Sequence, residues 1–265
     1  MALSVRRIAL VDSGLGLIGH AAALRALRPD LSLVLSMDPD HMPYGPRSPD
    51  EVRELVLEAA QATLPYRPDA IVVACNTASV HGLDSLRTKF EPGIPVIGTV
   101  PAIRPAALAG GPVAVWATAA TVASAYLRGL VDAFAADIDT TTVAALGLAE
   151  AIDAADLRQV DACIEAAAGQ TPTGIRGLVL GCTHYGLVAD RIAAALGPDV
   201  TIFDSPVAVA RQTLRRVGLS PDGPAPSLQR AVPAVEAVLL SGRAGELPAT
   251  VAAYPAGAAL LTPPT

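Results

Sequence analysis

Two cysteines stand out by their surroundings. AIVVACNTAS and GLVLGCTHYG each run as an apolar strand, a small residue, a cysteine, a polar residue and then a stretch of helical character. Cys75 and Cys182 are nearly half the chain apart. A thiol just after a strand and just before a helix lies beside unsatisfied backbone N–H groups, which lower its pKa and favour the thiolate. A single such cysteine is most often a buried apolar side chain. Two in matched settings point to a pair with a shared task. Inverting a carbon needs a proton taken from one face and another delivered to the opposite face, and two positioned acid–base groups solve that geometry. Cys163, inside AIDAADLRQVDACIEAAAG, reads as an ordinary helix-core residue.

The elements that must position these thiols follow an alternating pattern of short β-branched runs and amphipathic stretches, as in α/β proteins with parallel sheets. Strands are expected over 7–11, 31–36, 70–74 and 95–98, then over 112–116, 140–145, 177–181, 200–203 and 235–240. The clearest helix starts in SPDEVRELVLEAAQATL, where Ser48 is the N-cap, Pro49 suits the first turn and Glu51 completes a capping box. Behind it Val52, Leu55, Val56 and Ala59 recur at helical spacing. The repeated strand–cysteine unit predicts two similar lobes with mainly parallel sheets flanked by helices, each thiol at the C-terminal end of a strand. Open α/β sheets bind ligands at that end, so the active site is expected in the cleft between the lobes. Proline-marked segments over 98–101 and 204–206 are the expected crossings. One lobe then takes 1–98 with 206–265 and the other 99–205. The Pro/Gly-rich stretch 220–227 is expected to be a surface loop.

The totals narrow the function classes. Net charge is −6 with no basic block, which argues against a surface that tracks nucleic-acid phosphates. Three widely spaced cysteines make no disulfide framework, and no CxxC or Cys/His cluster suggests a metal. No apolar run approaches the roughly 20 residues of a membrane span, and the N-terminus lacks the apolar stretch and cleavage site of a signal peptide. A cytoplasmic protein without membrane association is expected.

VDSGLG, MPYG, ACNTAS, the VPA of GTVPA, and LGCTHYG occur in this order over roughly residues 8–205. Together they resemble the successive motifs of glutamate racemase, in the aspartate/glutamate racemase superfamily. The resemblance implies a cofactor-independent, metal-free enzyme that interconverts L- and D-glutamate, supplies the D-isomer for peptidoglycan and forms a homodimer. It implies that Cys75 takes the proton from the D-isomer and Cys182 from the L-isomer, with Asp12 assisting the first thiol and His184 the second. The family's additional glutamate falls at Glu150. Ser13, Pro43, Tyr44, Gly45, Asn76, Thr77 and Thr183 match positions that cradle the substrate, and Thr118 and Thr121 match a further polar turn. Three departures are visible: Leu17 where the family has a glycine, Gly186 where it has a proline, and 143–145 where it has a Cys-Pro.

Other readings of the sequence stay open. Gly14–Gly19 spells GxGxxG after a strand, and Asp38 lies about 20 residues on, the spacing of a dinucleotide fingerprint with its ribose-binding acid. An acid at Asp12, just ahead of the glycine turn, opposes a pyrophosphate there. Racemisation of aspartate or another acid, or a specialised-metabolism relative, would use the same thiols. A two-lobed amino-acid binding protein without turnover is the non-enzymatic alternative. His20, His41 and His81 have no partner pattern and are expected at the surface.

Overall fold

In the computed structural model, which describes residues 5–223 and 233–261, the chain opens with β1 (Arg7–Asp12), α1 (Leu17–Leu27), β2 (Ser32–Met37), α2 (Pro49–Ala62), β3 (Ala70–Val73), α3 (Asn76–Phe90) and β4 (Val96–Gly98). It continues through α4 (Ile103–Ala109), β5 (Val113–Ala117), α5 (Ala119–Ala123), α6 (Ala125–Phe134), β6 (Thr140–Ala144), α7 (Leu148–Asp153), α8 (Leu157–Gln170), β7 (Gly177–Leu180), α9 (Ala189–Leu196) and β8 (Thr201–Phe203). It ends with α10 (Pro206–Arg216), β9 (Val235–Leu240), β10 (Arg243–Gly245) and α11 (Pro255–Leu261). The chain divides into two compact units, Met1–Thr99 with Pro206–Thr265, and Val100–Ser205.

The first unit carries a six-stranded sheet in the order β10-β9-β2-β1-β3-β4. All neighbours are parallel except the β9–β10 pair. Ile8 to Val11, Leu33 to Leu35 and Ala70 to Val73 are wholly buried, because a parallel strand covered on both faces needs a continuous apolar run rather than alternation. β1 pairs with β2 so that Asp12 stands opposite Met37, and with β3 so that Val11 stands opposite Val73. The three central strands therefore finish at one edge, which delivers Asp12, Asp38 and Cys75 to neighbouring strand ends.

Helix α2 begins as the sequence predicts. The Ser48 hydroxyl accepts from the Glu51 N–H at 3.3 Å, and Glu51 Oε2 accepts from the Ser48 N–H at 2.9 Å. Val52, Val56 and Ala59 are buried against the sheet, with Leu55 partly so. α2 and α3 approach closely at Gly82, where a Cβ would collide with Val56.

The second unit has a four-stranded, all-parallel sheet in the order β6-β5-β7-β8. β5 and β7 are central and fully buried. Trp116 stands opposite Leu180 and Ala117 opposite Ala144, so the turns after β5, β6 and β7 open at one edge. The only tryptophan of the chain is held there by its indole N–H, which donates to Thr171 Oγ1 at 2.8 Å.

Two expectations change. His20 is not at the surface: it is buried in α1, where desolvation lowers its pKa to about 4 and leaves it neutral near pH 7. His41 and His81 are half-buried, and His41 lies 2.9 Å from an Asp38 carboxylate oxygen. The loop expected over 220–227 is described only to residue 223, and its remainder lies outside the described residues. β10 was not foreseen from the sequence; its three residues are all exposed and carry no hydrophobic pattern. Among the described residues no helix is long and apolar enough to cross a membrane.

Candidate active site

Cys75 and Cys182 are presented by the same backbone device. Cys75 follows β3 and Ala74, has φ −134° and ψ 125°, and immediately precedes α3. Cys182 follows β7 and Gly181, has φ −133° and ψ 134°, and immediately precedes a 3-10 helix over Thr183–Val188. An extended residue at the head of a helix places its side chain beside the helix's first N–H groups, which have no partner inside the helix. Those groups stabilise a thiolate. The parallel registers hold each device in place: Ala74 N–H donates to the Val11 carbonyl at 2.9 Å, and Gly181 N–H to the Trp116 carbonyl at 2.7 Å.

Around Cys75 lie acidic and phenolic groups. Asp12, at the end of β1, is buried, and its Oδ1 accepts from the Ser13 N–H at 2.6 Å. Asn76 and Thr77 form the first turn of α3, Asn76 buried and Thr77 half-buried. The loop after β2 brings Pro43, Tyr44 and Gly45. Tyr44 is buried in the same apolar cluster as Cys75, and its hydroxyl donates to Asp38 Oδ2 at 2.9 Å. Burial pushes the Tyr44 phenol far above its ordinary range. The charge of Asp38 and the hydrogen bond to it act the same way, with smaller effects from Cys75 and Asp12.

Around Cys182 the partners differ. His184 is buried, with Nδ1 3.9 Å from Cys182 Sγ and Nε2 3.3 Å from Asp153 Oδ1. A thiol, an imidazole and a carboxylate thus form one chain, the order in which an imidazole both accepts a thiol proton and is oriented by its other nitrogen. Thr183 is buried beside them. Thr118 caps α5, accepting from the Thr121 N–H at 3.3 Å and donating to Thr121 Oγ1 at 3.0 Å. Tyr185 is buried with its hydroxyl donating to the Ala145 carbonyl at 3.1 Å, which ties the turn after β6 to the cysteine turn. Gly147 opens α7 with φ +71°, a conformation that glycine adopts without strain.

Glu150 is exposed on α7, and the carboxylate that lies 3.3 Å from His184 Nε2 is Asp153, one turn further along the same helix. Sequence reasoning missed Asp153 although LAEAID places two acids three residues apart, on adjoining positions of one helix face. The replaced Cys-Pro region forms the end of β6, with Val143 and Ala145 buried. Leu17 is fully buried as the first residue of α1.

The dinucleotide fingerprint finds no support in the geometry. The Ser13 N–H, at the turn where a phosphate would bind, is taken by the Asp12 carboxylate. The Asp38 carboxylate is taken by Tyr44, His41 and Ser241. Among the described residues no cluster of three or more His, Cys, Asp or Glu could hold a metal ion.

Known racemases resemble this chain over most of its length. The family model described as Asp/Glu/Hydantoin racemase matches residues 18–213. A glutamate racemase of Pseudomonas entomophila is 38% identical over 227 residues, covering 82% of this chain and 85% of the relative. The crystal structure of Escherichia coli glutamate racemase, in complex with L-glutamate and the activator UDP-MurNAc-Ala, superimposes with a TM-score of 0.78 at 28% identity, covering 97% of this chain and 93% of that one. Glutamate racemase isoform RacE1 of Bacillus anthracis gives a TM-score of 0.68 at 31% identity, over 81% and 83% of the two chains.

Proposed function

This chain belongs to the Asp/Glu/hydantoin racemase family, and on that premise we infer that it is a glutamate racemase working through its own two thiols. The observation that carries the reading is the duplicated device: two cysteines with nearly the same backbone angles, each at a strand end and a helix start. One thiolate removes the α-proton and leaves a carbanion. The other thiol, on the opposite face, gives its proton to that carbon. The charges of the two sulfurs are then exchanged, ready for the reverse reaction. Cys182 serves as base for the L-isomer and Cys75 for the D-isomer. Asp12 supports the first thiol, and His184 with Asp153 the second.

The polar edge residues fit an acidic amino acid. In the first unit Ser13, Asn76 and Thr77, with the N–H groups of the α3 start and of Tyr44 and Gly45, and in the second unit Thr118, Thr121 and Thr183, supply donors suited to carboxylates. Fixed donors of this kind act on charge as it develops at the α-carbon. Exclusion of water strengthens them. The reading extends to a cytoplasmic homodimer that supplies D-glutamate for peptidoglycan, on the strength of the motif resemblance.

The test is α-hydrogen exchange. Incubated in deuterated water with L- or D-glutamate, the enzyme is expected to deuterate the α-carbon and generate the other enantiomer, followed by mass and circular dichroism. Exchange on aspartate with none on glutamate would reassign the substrate. Absence of exchange on every acidic amino acid would reject the racemase reading.

A further inference from the structure

The β9–β10 hairpin takes no part in the proposed proton transfers, and the three residues of β10 are all exposed. Its turn is nevertheless an uncommon piece of sequence. Leu240 pairs with Arg243 across two residues, Ser241 and Gly242, whose φ values are +47° and +76°. A two-residue hairpin turn with both central residues at positive φ favours Asn-Gly, Asp-Gly or Gly-Gly, because most side chains are strained in that conformation. Serine holds the first place at a conformational cost, and its contacts lie outside the hairpin.

Those contacts go to the root of the loop that carries Pro43, Tyr44 and Gly45. The Ser241 N–H donates to the Met37 carbonyl at 2.8 Å. Its hydroxyl donates to Asp38 Oδ1 at 2.7 Å and accepts from the Asp40 N–H at 3.2 Å. The hold passes on through Asp38, which is only 4% exposed. Asp38 Oδ2 accepts from the Tyr44 hydroxyl at 2.9 Å, and the Asp38 N–H donates to the Ser13 carbonyl at 3.2 Å. Beyond Tyr44 the loop closes on itself: the Arg47 N–H donates to the Tyr44 carbonyl at 3.1 Å, and Arg47 Nε to the His41 carbonyl at 2.7 Å. Every link is a hydrogen bond within the first unit. Without the Ser241 hydroxyl, Oδ1 keeps only the half-buried His41 ring, 2.9 Å away, and the carboxylate is free to swing from Tyr44.

We propose that Ser241 is a positioning residue: its hydroxyl fixes the Asp38 carboxylate, and through it the Tyr44–Gly45 turn that receives the substrate. The substrate's place at that turn rests on the racemase reading, whereas the hold on the turn does not.

Two variants separate this role from a merely structural one. Ser241→Ala removes the hydroxyl and keeps a side chain at positive φ. Ser241→Gly removes the hydroxyl and relieves the backbone, so it should unfold at the higher urea concentration of the two. A structural role would make KM follow that order. Positioning makes the variants alike: KM for both glutamate enantiomers should rise about fivefold, the effect of roughly one hydrogen bond. Turnover should stay within about twofold, as when binding shared by ground and transition state is lost. Without substrate, amide exchange over residues 41–47, read by mass spectrometry on the intact enzyme, should quicken about fivefold in both variants. Arg243→Ala, which removes only the exposed ion pair with Asp40, should change neither KM nor exchange. Unaltered exchange over 41–47 would overturn the proposal. So would an unchanged KM in the active variants, a KM restored toward wild type by Ser241→Gly, or an equal effect from Arg243→Ala. Should Ser241→Ala fail to fold, Ser241→Gly decides the result. Exchange needs no turnover: a protein inert toward glutamate ends the racemase reading, while the 41–47 amides still report whether Ser241 holds the turn.

Discussion

Around Cys75 the chain buries the residue to 6% exposure among apolar side chains and supplies a carboxylate and a phenol, whereas around Cys182 it leaves the residue half-buried and supplies an imidazole backed by a carboxylate. The backbone delivering the two is the same, to within a few degrees of φ and ten of ψ. The helices they lead into differ: a 15-residue α-helix after Cys75, a six-residue 3-10 helix after Cys182. The contrast separates two tasks. Strand register and helix start decide where a sulfur sits, and the side chains beside it decide how it holds a proton. A racemase needs each thiol to be a base in one direction and an acid in the other. An anionic neighbour such as Asp12 favours the protonated thiol, and a histidine can take the proton from its thiol. The two units would then reach matched reactivity by unlike means.

The largest effect should come from removing either sulfur. Cys75→Ala and Cys182→Ala are each expected to lower racemisation by about 10³-fold or more, the scale of a lost acid–base group. Residual α-deuterium incorporation should be one-sided: into L-glutamate when only Cys182 remains, and into D-glutamate when only Cys75 remains. Mass spectrometry of separated enantiomers checks this. Exchange of the same enantiomer in both variants would mean that the two units do not serve opposite faces.

Next come the partners. His184→Asn is expected to cost about 10²-fold in kcat/KM, at the lower end of general acid–base contributions, and Asp153→Asn about tenfold, since it acts through the imidazole. Enantiomers have equal free energy, so kcat/KM must fall equally in both directions and cannot reveal which thiol was affected. The primary isotope effect can. Substrate deuterated at the α-carbon should show an increased isotope effect as L-glutamate in His184→Asn and Asp153→Asn, and as D-glutamate in Asp12→Asn. Equal changes for both enantiomers would erase the distinction between the two settings. Glu150→Gln, exposed on the same helix, should leave the isotope effects unaltered.

Much of this contrast is legible in the sequence wherever the cause is local. β1 through β9 announce themselves as short β-branched or apolar runs, and the α2 cap is written in four consecutive residues. ACNTAS and GCTHYG place each thiol at a strand end because the strand, the cysteine and the helix start are contiguous. The partners that come from elsewhere were harder to read. LAEAID holds two acids on one side of α7, and only the packing of that helix against the turn at Thr183–Val188 shows that Asp153 is the one beside His184. His20 and His41 look alike as isolated histidines, yet one is enclosed in α1 and the other meets Asp38. The Asp38 cluster depends on Ser241, contributed by a hairpin some 200 residues later, and no spacing rule connects them. Asp38 itself was visible, but its spacing from the glycine turn suggested a ribose and its true neighbours a phenol.

The smallest predicted effect concerns the residue before each cysteine, alanine at 74 and glycine at 181. In the first unit a methyl group is accommodated, with Ala74 fully buried. In the second, a Cβ on residue 181 would lie 2.8 Å from Ala117 Cβ and 2.9 Å from the Trp116 carbonyl oxygen. Neither atom belongs to a flexible side-chain end, so β7 would have to move away from β5. Gly181→Ala should therefore destabilise the protein by about 1–3 kcal/mol, the usual cost of overpacking, measured by urea denaturation. Ala74→Gly, which removes a buried methyl without a clash, should cost about 1 kcal/mol. The two also differ in activity. Displacement of the strand end carries Cys182 with it, so Gly181→Ala should lower kcat beyond its effect on stability, while Ala74→Gly should leave kcat within about twofold of wild type. Equal tolerance at both positions would show that the device at Cys182 is not held by the close approach of β7 to β5.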